Sequence, residues 1–243
     1  MDFTLAKYTE LLRALRDYGF DTLTLRHDVD LKPGNSLRTA QIESDLGMYG
    51  IYYFRAVPES WDEAIIRQIA GLGHEIGYHY ESLTTCRGDI DAAYTDFCKN
   101  LEALRQIAPV KSICMHGSPR SPWDSKDIWK KYDYRSLSID NEPYLDTDFS
   151  RVFYLTDTGR RWDGFKVSVR DRIPEYQDSW TRQGLLFHST DDVLTGLEER
   201  RIPKNLMITV HPQRWNPFGF SWCKELALQN AKNIIKRFII KTA

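Results

Sequence analysis

Short apolar runs alternate with longer amphipathic stretches along most of the chain. The short runs are rich in β-branched and aromatic residues, which is typical of buried strands, and the longer stretches repeat apolar residues at helical spacing. Strands are predicted at 23–25, 51–54, 75–78, 111–115 and 206–210. Helices are predicted at 4–18, 36–46, 61–72 and 89–107, near 126–131, and in a last stretch that includes Trp222 and Phe238. Strands that alternate with helices of about 10 to 15 residues indicate βαβ units around a parallel sheet or barrel.

One segment, residues 121–203, does not follow this alternation. It is rich in Trp, Tyr, Asp and Arg, and apart from the helix near 126–131 its pattern predicts no element. No internal repeat, low-complexity tract or linker interrupts the chain, and 243 residues are enough to bury a full core. We therefore expect a single domain over residues 1–243.

The net charge of the chain does not favour binding to nucleic acid. Lys and Arg together number 33 and Asp and Glu number 34, so the formal net charge is −1. Attraction to phosphates that does not depend on base sequence needs a strongly basic face. Nucleic acid is therefore not an expected partner.

Cysteine usage and hydropathy predict a cytoplasmic protein without a membrane span. The four cysteines are scattered and form no CxxC pair, which suits a reducing compartment and argues against a cysteine zinc site. The first residues lack the uninterrupted apolar core of a secretory signal. No stretch of the sequence is long and apolar enough to span a bilayer.

Ionisable residues lie at the ends of four predicted strands. Asp28 and Asp30 end the first strand, and His79, His116 and His211 end three later ones. Catalytic groups of parallel α/β folds collect at the carboxyl ends of the strands, where loops converge. Carboxylate and imidazole together suit a catalytic divalent metal, with zinc preferred, held by three protein ligands with one position open. A carboxylate or imidazole that does not bind the metal can act as base or acid.

Each of these residues also has a simpler interpretation. Asp28 and Asp30 precede a Pro-Gly turn, where a single aspartate more often stabilises the turn. His79 and His116, taken singly, are more often structural histidines than ligands. His74 begins its strand, at the end opposite the expected site, and is predicted to be structural. Only the coincidence of several such residues at strand ends favours a site.

Four tryptophans lie in loop-like or amphipathic contexts. Flat indole faces stack on sugar rings, yet large aromatic side chains mostly fill cores. Trp129 is predicted to lie in the core, whereas Trp123, Trp162 and Trp215 fit either role. Among these, we predict Trp162 and Trp215 as substrate-binding residues, together with Arg214.

Three motifs resemble those of a known family. Residues 26–30 read Arg-His-Asp-Val-Asp, residues 73–79 read Gly-His-Glu-Ile-Gly-Tyr-His, and residues 210–211 read Val-His. The polysaccharide deacetylase family (NodB-homology, carbohydrate esterase 4 or CE4) has Thr-Phe-Asp-Asp-Gly-Pro, Gly-His-Glu-Ile-Gly-Asn-His and Leu-His in the same order. The chain resembles this family over most of its length and looks most like a divergent bacterial branch. The resemblance implies a distorted (β/α)7 barrel, a variant of the parallel barrel.

The resemblance also implies roles for single residues, and two positions depart from the family pattern. Asp28 matches the family's catalytic base, His79 its first metal-binding histidine and His211 its catalytic acid. The second aspartate of the family motif falls on Val29, and the second metal histidine falls on Leu83. Since neither side chain binds a metal, the site is either inactive or has moved its ligands.

Two residues with metal-binding side chains could replace the ligands missing at Val29 and Leu83. Asp30 follows Val29 directly, and His116 ends the next predicted strand. The hypothesis is that Asp30, His79 and His116 bind Zn²⁺ or a similar divalent ion, with Asp28 as base and His211 as acid. Glu81 is a reserve ligand, although on a helical turn it would point away from His79.

These assignments predict a metal-dependent hydrolase that removes an acetyl group from an N-acetylated amino sugar, or from a precursor in surface polysaccharide metabolism. The expected partner is therefore a carbohydrate or sugar-precursor substrate. Two alternatives stay open: a metal-independent amide hydrolase on the same barrel, similar to allantoinase-like proteins, and a non-catalytic barrel that binds glycan or scaffolds an assembly.

Overall fold

Six parallel strands form one sheet in the computed structural model, which describes residues 1–118, 121–162 and 172–242, with side chains as far as residue 233. The strands are β1 (Thr22–Val29), β2 (Ile51–Phe54), β3 (Glu75–Tyr80), β4 (Val110–Met115), β5 (Phe153–Thr156) and β6 (Asn205–Val210). Their order across the sheet is β4-β3-β2-β1-β6-β5, and every pairing is parallel.

The α/β class and the parallel sheet with flanking helices are confirmed, and the sheet has six strands where the resemblance implied a distorted barrel of seven. Among the described residues, β4 and β5 are the two edge strands, and no hydrogen-bonded pairing joins them. All five predicted strands are present. The sixth, β5, falls in the segment for which the sequence pattern predicted no strand.

Helices cover the connections between the strands. The main ones are α1 (Leu5–Tyr18), α2 (Pro33–Asp45), α3 (Glu63–Gly71), α4 (Ser82–Thr85), α5 (Ile90–Arg105), α6 (Pro143–Asp146), α7 (Pro174–Arg182), α8 (Thr190–Glu198) and α9 (Phe220–Thr242). Short 3₁₀ helices span Ser125–Lys130, Tyr134–Leu137 and Pro212–Arg214. None of the helices in the described part of the chain is long and apolar enough to cross a membrane.

The helix ends follow local sequence signals. The Thr4 side chain accepts a hydrogen bond from the Lys7 amide at the start of α1, and Gly19 ends that helix in the left-handed conformation. Asp89 caps α5 in the same way, by accepting from the amides of Asp91 and Ala92. The helix expected near 126–131 is the 3₁₀ helix Ser125–Lys130.

The two faces of the sheet differ in chemistry. Side chains alternate between the faces along each strand. One face carries the buried apolar side chains of Val29, Phe54 and Tyr78, which pack in a core that also includes Ile66 of α3 and Phe97 of α5. The opposite face of the same central strands is polar, and its buried residues are Arg26, Asp28, Tyr53, His79 and Cys114. A polar face inside a folded domain has to be satisfied by internal partners or by a ligand.

One buried carboxylate lies on the helix-covered face. Glu43 of α2 is fully buried, with its Oε1 2.7 Å from His27 Nε2 and its Oε2 3.1 Å from the Tyr52 hydroxyl. Tyr8 of α1 also donates to Glu43, so this carboxylate joins α1, α2, β1 and β2. His74 lies 3.5 Å from Glu43, but its Nδ1 accepts from the Gly50 amide and its Nε2 donates to the Ala40 carbonyl. Such contacts give His74 a structural role.

The Gly77 position of the Gly-His-Glu-Ile-Gly motif has no room for a side chain. A Cβ there would lie 2.4 Å from the buried Tyr53 ring and 3.1 Å from the Ser112 carbonyl oxygen. We expect Gly77→Ala to lower the free energy of unfolding by about 1–3 kcal/mol, the usual cost of overpacking a core. Gly71→Ala is the matched control, because a Cβ at Gly71 meets nothing within 4 Å. Urea denaturation measures both, and equal midpoints for the two variants would contradict this account of Gly77.

Candidate metal centre and active site

Each of the six strands is followed directly by an ionisable residue. These residues, which we call the strand-end ring, are Asp30, Arg55, Glu81, His116, Asp157 and His211. Because all six strands are parallel, their carboxyl ends lie at one edge of the sheet, and the ring collects there. His79 and Asp28 lie on the same edge, within the last two residues of β3 and β1.

Asp30 faces three histidines at this edge of the sheet, His79, His116 and His211. Its Oδ1 lies 3.5 Å from His116 Nε2 and 3.7 Å from His79 Nε2. Its Oδ2 accepts a hydrogen bond from Gln213 Nε2 at 3.0 Å and lies 4.0 Å from His211 Nε2. Oδ1 itself is buried and has no hydrogen-bond partner among the described residues. A buried carboxylate oxygen without a partner is costly unless a ligand or ion satisfies it.

The Asp30 carboxylate is held in its charged form. Burial by itself would raise the pKa of Asp30, but His116, His211, His79 and Arg214 outweigh it and lower the pKa to about 2. The group is therefore an anion at neutral pH, which is the form that binds a metal.

Two of the imidazoles that face Asp30 are oriented by their other ring nitrogen. His79 Nδ1 lies 2.9 Å from the Cys114 carbonyl oxygen, and His116 Nδ1 lies 2.7 Å from Glu81 Oε2. Since both partners only accept hydrogen bonds, each Nδ1 carries a proton and each Nε2 is the ring atom that faces Asp30. Burial lowers the pKa of His79 to about 4, so this imidazole is neutral at pH 7 and suited to metal binding.

Asp30 Oδ1 lies near both His79 Nε2 and His116 Nε2, at separations close to those between two ligands of one divalent ion. Ligand atoms about 2.0–2.1 Å from a tetrahedral zinc are separated by about 3.3 Å, close to the 3.5 and 3.7 Å between Asp30 Oδ1 and the two Nε2 atoms. The structure therefore brings together the three residues that the sequence hypothesis named as ligands. They come from the ends of β1, β3 and β4.

A second cluster offers ligand atoms of its own. Asp28, His79 and Cys114 are buried, and one potential ligand atom from each lies within 4.8 Å of the others. However, Arg26 donates to both oxygens of Asp28, with Nε–Oδ1 2.8 Å and Nη2–Oδ2 2.6 Å. The guanidinium already supplies a positive charge at this carboxylate, whereas Oδ1 of Asp30 has none bonded to it. We therefore favour the cluster around Asp30.

Asp28, the predicted base, lies at the border of this centre. Its Oδ2 is 3.7 Å from His79 Nε2, so it faces the same space as the candidate ligands. Arg26 holds its carboxylate from the other side and stacks on the Tyr144 ring, with the guanidinium carbon 4.8 Å from the ring centroid. A carboxylate accepts up to about four hydrogen bonds, so Asp28 retains acceptor capacity beside the Arg26 pair.

His211, the predicted acid, is fixed by Asp157. Asp157 is fully buried, and its Oδ1 lies 2.6 Å from His211 Nδ1 while its Oδ2 accepts from the His211 amide at 3.0 Å. Burial would raise the pKa of Asp157, but Arg214 and His211 lower it. Burial and Arg214 lower the pKa of His211, but Asp157 and Asp30 together outweigh them, so the net effect is a raised pKa.

The predicted substrate-binding residues lie elsewhere than expected. Trp162 and Trp215 are 1% and 0% exposed, and the Trp215 ring packs against Phe3 at 4.8 Å between centroids. Arg214 Nη1 donates to Asp157 Oδ1 at 2.6 Å, and Trp215 Nε1 donates to Asp157 Oδ2 at 2.8 Å. Because neither indole face is open, this placement does not fit stacking on a sugar ring. Arg214 and Trp215 instead support the carboxylate that holds His211.

Three polar residues of the site were not identified from the sequence as members of it. Arg26 pairs with Asp28, Arg55 pairs with Glu81, and Asp157 pairs with His211. Arg55 and Asp157 share one signal with the predicted residues, since each directly follows a strand. That signal was hidden for Asp157 because β5 itself was not predicted.

Comparisons with known proteins add two distant similarities in structure. No protein-family model and no curated protein matches the chain. A mutant of a CE4 family pseudoenzyme with restored enzymatic activity is similar over 89% of this chain, with 13% identity and a TM-score of 0.42. A mutant of the peptidoglycan deacetylase PdaC from Bacillus subtilis is similar over 91% of this chain and 98% of its own, with 10% identity and a TM-score of 0.40. The chain spans 64% of the length of the first of these proteins. Any assignment of activity to this chain therefore rests on the site itself.

Proposed function

We propose that the protein is a metal-dependent hydrolase that removes the acetyl group from an N-acetylated amino sugar or a sugar precursor of surface polysaccharide. The observation that carries the proposal is the buried Oδ1 of Asp30, which has no hydrogen-bond partner in the part of the chain that the structure describes and faces Nε2 of both His79 and His116. The motif resemblance supplies the substrate class.

Asp30, His79 and His116 are the residues that would hold the ion. A bound divalent ion such as Zn²⁺ supplies Lewis-acid chemistry and lowers the pKa of a water molecule towards about 7. Asp30 contributes the negative charge, and the two imidazoles contribute neutral donors whose orientation is fixed before binding. Ligands that are already in place lose little freedom when the ion binds.

Asp28 and His211 supply proton transfer on either side of this centre. Asp28 takes a proton from the attacking water, and Arg26 keeps the carboxylate in place during the transfer. His211 donates its Nε2 proton to the amide nitrogen as the C–N bond breaks, giving acetate and a free amine. Asp157 accepts from Nδ1, so Nε2 is the ring position that exchanges its proton.

Metal analysis and acetate release together test this proposal. The purified chain, exposed to Zn²⁺ and desalted, is expected to retain about one ion per molecule and to release acetate from at least one N-acetylated sugar. A chelator should remove both properties, and returning the metal should restore them. Amide hydrolysis that persists without an ion would favour the metal-independent alternative. Glycan binding without turnover would favour the non-catalytic one.

The Asp157–His211 pair predicts a pH effect. Asp157 raises the pKa of His211, and a raised pKa keeps the acid protonated to higher pH, so activity is lost only as pH rises through that value. Asp157→Asn removes the charge, and we expect the alkaline limb of the kcat/KM profile to move to lower pH. The profile of Glu10→Gln, a change on exposed α1 surface, should match that of the unmodified protein. An alkaline limb that does not move in Asp157→Asn would exclude His211 as the group that sets it.

A further inference from the structure

The chain following β3 has no imidazole to offer at the position where the family motif places one. Leu83 of α4 is 2% exposed and packs in a small apolar cluster with Ala93 and Ile128. The second imidazole at the centre comes instead from His116, one strand further along the sheet. A metal ligand on a different strand needs neighbouring residues that fix the orientation of its side chain.

That support is a closed set of contacts between four neighbouring strand ends. His116 Nδ1 lies 2.7 Å from Glu81 Oε2, and Glu81 Oε1 accepts from Arg55 Nη2 at 2.7 Å and from Arg55 Nε at 3.1 Å. Arg55 Nη1 donates to the main-chain oxygen of Asp30 at 3.2 Å. His116 Nε2 then returns to Asp30 Oδ1 at 3.5 Å. The contacts run through β4, β3, β2 and β1 in the order in which these strands lie in the sheet.

Both oxygens of Glu81 are used in these contacts. One accepts from Arg55 and the other from His116, so each oxygen already has a side-chain partner. Burial would raise the pKa of Glu81, but His116 and Arg55 outweigh it and lower the pKa to about 2. The role of reserve ligand, considered from the sequence, is therefore not the one that the geometry supports.

A carboxylate on the remote nitrogen of a histidine is the usual support of a metal ligand. It fixes the ring orientation and tautomer, and it raises the basicity of the ligating nitrogen. Arg55 holds the carboxylate with two N–H groups, and the same guanidinium reaches the residue that carries the other ligand. One cation therefore sets the relative position of Asp30 and His116.

We propose that Glu81 is a positioning residue for metal binding, anchored by Arg55, and that this pair gives His116 the ligand role that Leu83 cannot take. The inference rests on the metal centre of the proposed function. It adds the residue pair, Glu81 and Arg55, that positions His116 as a ligand.

Calorimetric titration with Zn²⁺ alone tests the role of Glu81. Glu81→Gln keeps the shape of the side chain but removes its charge, and we expect the affinity for Zn²⁺ to fall by about 10- to 100-fold, the usual effect of losing an outer-shell partner. The absorption spectrum of the Co²⁺-loaded protein should change as well, because the ring of His116 is no longer held. Glu10→Gln is the control, since it makes the same chemical change on the exposed surface of α1, outside the site. Its Zn²⁺ affinity should stay within about threefold of the unmodified protein.

The outcomes separate this inference from the proposed function. If the unmodified protein binds neither Zn²⁺ nor Co²⁺, the metal centre itself fails. If it binds them and Glu81→Gln binds equally well with an unchanged Co²⁺ spectrum, the positioning role is overturned. Should Glu81→Gln lose its fold by circular dichroism, Arg55→Gln gives the second test, because it removes the anchor and leaves Glu81 in place. Weaker Zn²⁺ binding by folded Arg55→Gln supports the inference, and unchanged binding overturns it.

Discussion

Asp30→Ala is expected to lower the affinity of the protein for Zn²⁺ by more than about 100-fold, beyond what the loss of an outer-shell partner costs. The substitution removes the only carboxylate of the proposed ligand set and leaves two neutral imidazoles. Acetate release from any N-acetylated sugar that the protein turns over should fall to background. Calorimetry and an acetate assay measure the two effects, and near-ultraviolet circular dichroism verifies that the core is intact.

Cys114→Ser is the control that separates the two candidate clusters. Cys114 lies with Asp28 and His79 in the alternative group, but it is not among the ligands proposed around Asp30. Its replacement should leave Zn²⁺ affinity within about threefold of the unmodified protein, less than the loss of an outer-shell partner costs. A Cys114→Ser protein that loses the metal, beside an Asp30→Ala protein that keeps it, would place the ion in the alternative cluster.

Glu43→Met is expected to lower the free energy of unfolding by about 3–5 kcal/mol, the cost of breaking a buried ion pair or charged network from one side. Glu43 Oε1 and His27 Nε2 lie 2.7 Å apart in fully buried side chains, and the hydroxyl groups of Tyr8 and Tyr52 each lose one hydrogen-bond acceptor. In a chain of this size, the midpoint of thermal unfolding should fall by roughly 6–20 °C. Glu10→Gln, on the exposed part of α1, should stay within about 0.5 kcal/mol.

A double substitution tests whether Glu43 acts through this network. His27 stacks on Tyr52 with centroids 4.0 Å apart, so His27→Phe retains an aromatic ring at that place. Glu43→Met combined with His27→Phe is expected to cost less than the sum of the single changes, because the histidine no longer lacks its partner. Strict additivity in chemical denaturation would show that the two residues are independent.

The sequence predicted those parts of the fold whose signals are local. The strands β1 to β4 and β6 appear as apolar runs between helical patterns, and helix ends such as Gly19 have their own residue preferences. The strand β5 has four residues and no predicted helix directly before or after it, so no alternation marked it. Whether the sheet closes depends on the geometry of its edge strands, which periodicity does not encode.

In the candidate site, too, the sequence predicted the residues with local signals and missed the contacts that depend on the arrangement of the strands. Asp30, His79 and His116 were named because they end strands and have ligand chemistry, and the structure brings them together. Glu81 and Arg55 also follow strands, but polar residues at such positions are common in turns, and their pairing depends on the order of the strands in the sheet. The burial of Trp162 and Trp215 depends on their packing against Phe3, at the far end of the sequence.

Neighbouring strands of a sheet lie only about 4.8 Å apart, a distance that a histidine side chain and its bond of about 2 Å to a metal together span. At the edge where the strand-end ring lies, a ligand lost from one strand end can therefore be replaced from the next without moving the ion. In the proposed centre, His116 is such a replacement for position 83, where this chain has a buried leucine. It follows that searches based on fixed residue spacing will overlook centres of this kind, whereas a search for ligands on adjacent strand ends will find them. The same freedom gives protein engineers a way to move a metal ligand between strands while keeping the scaffold.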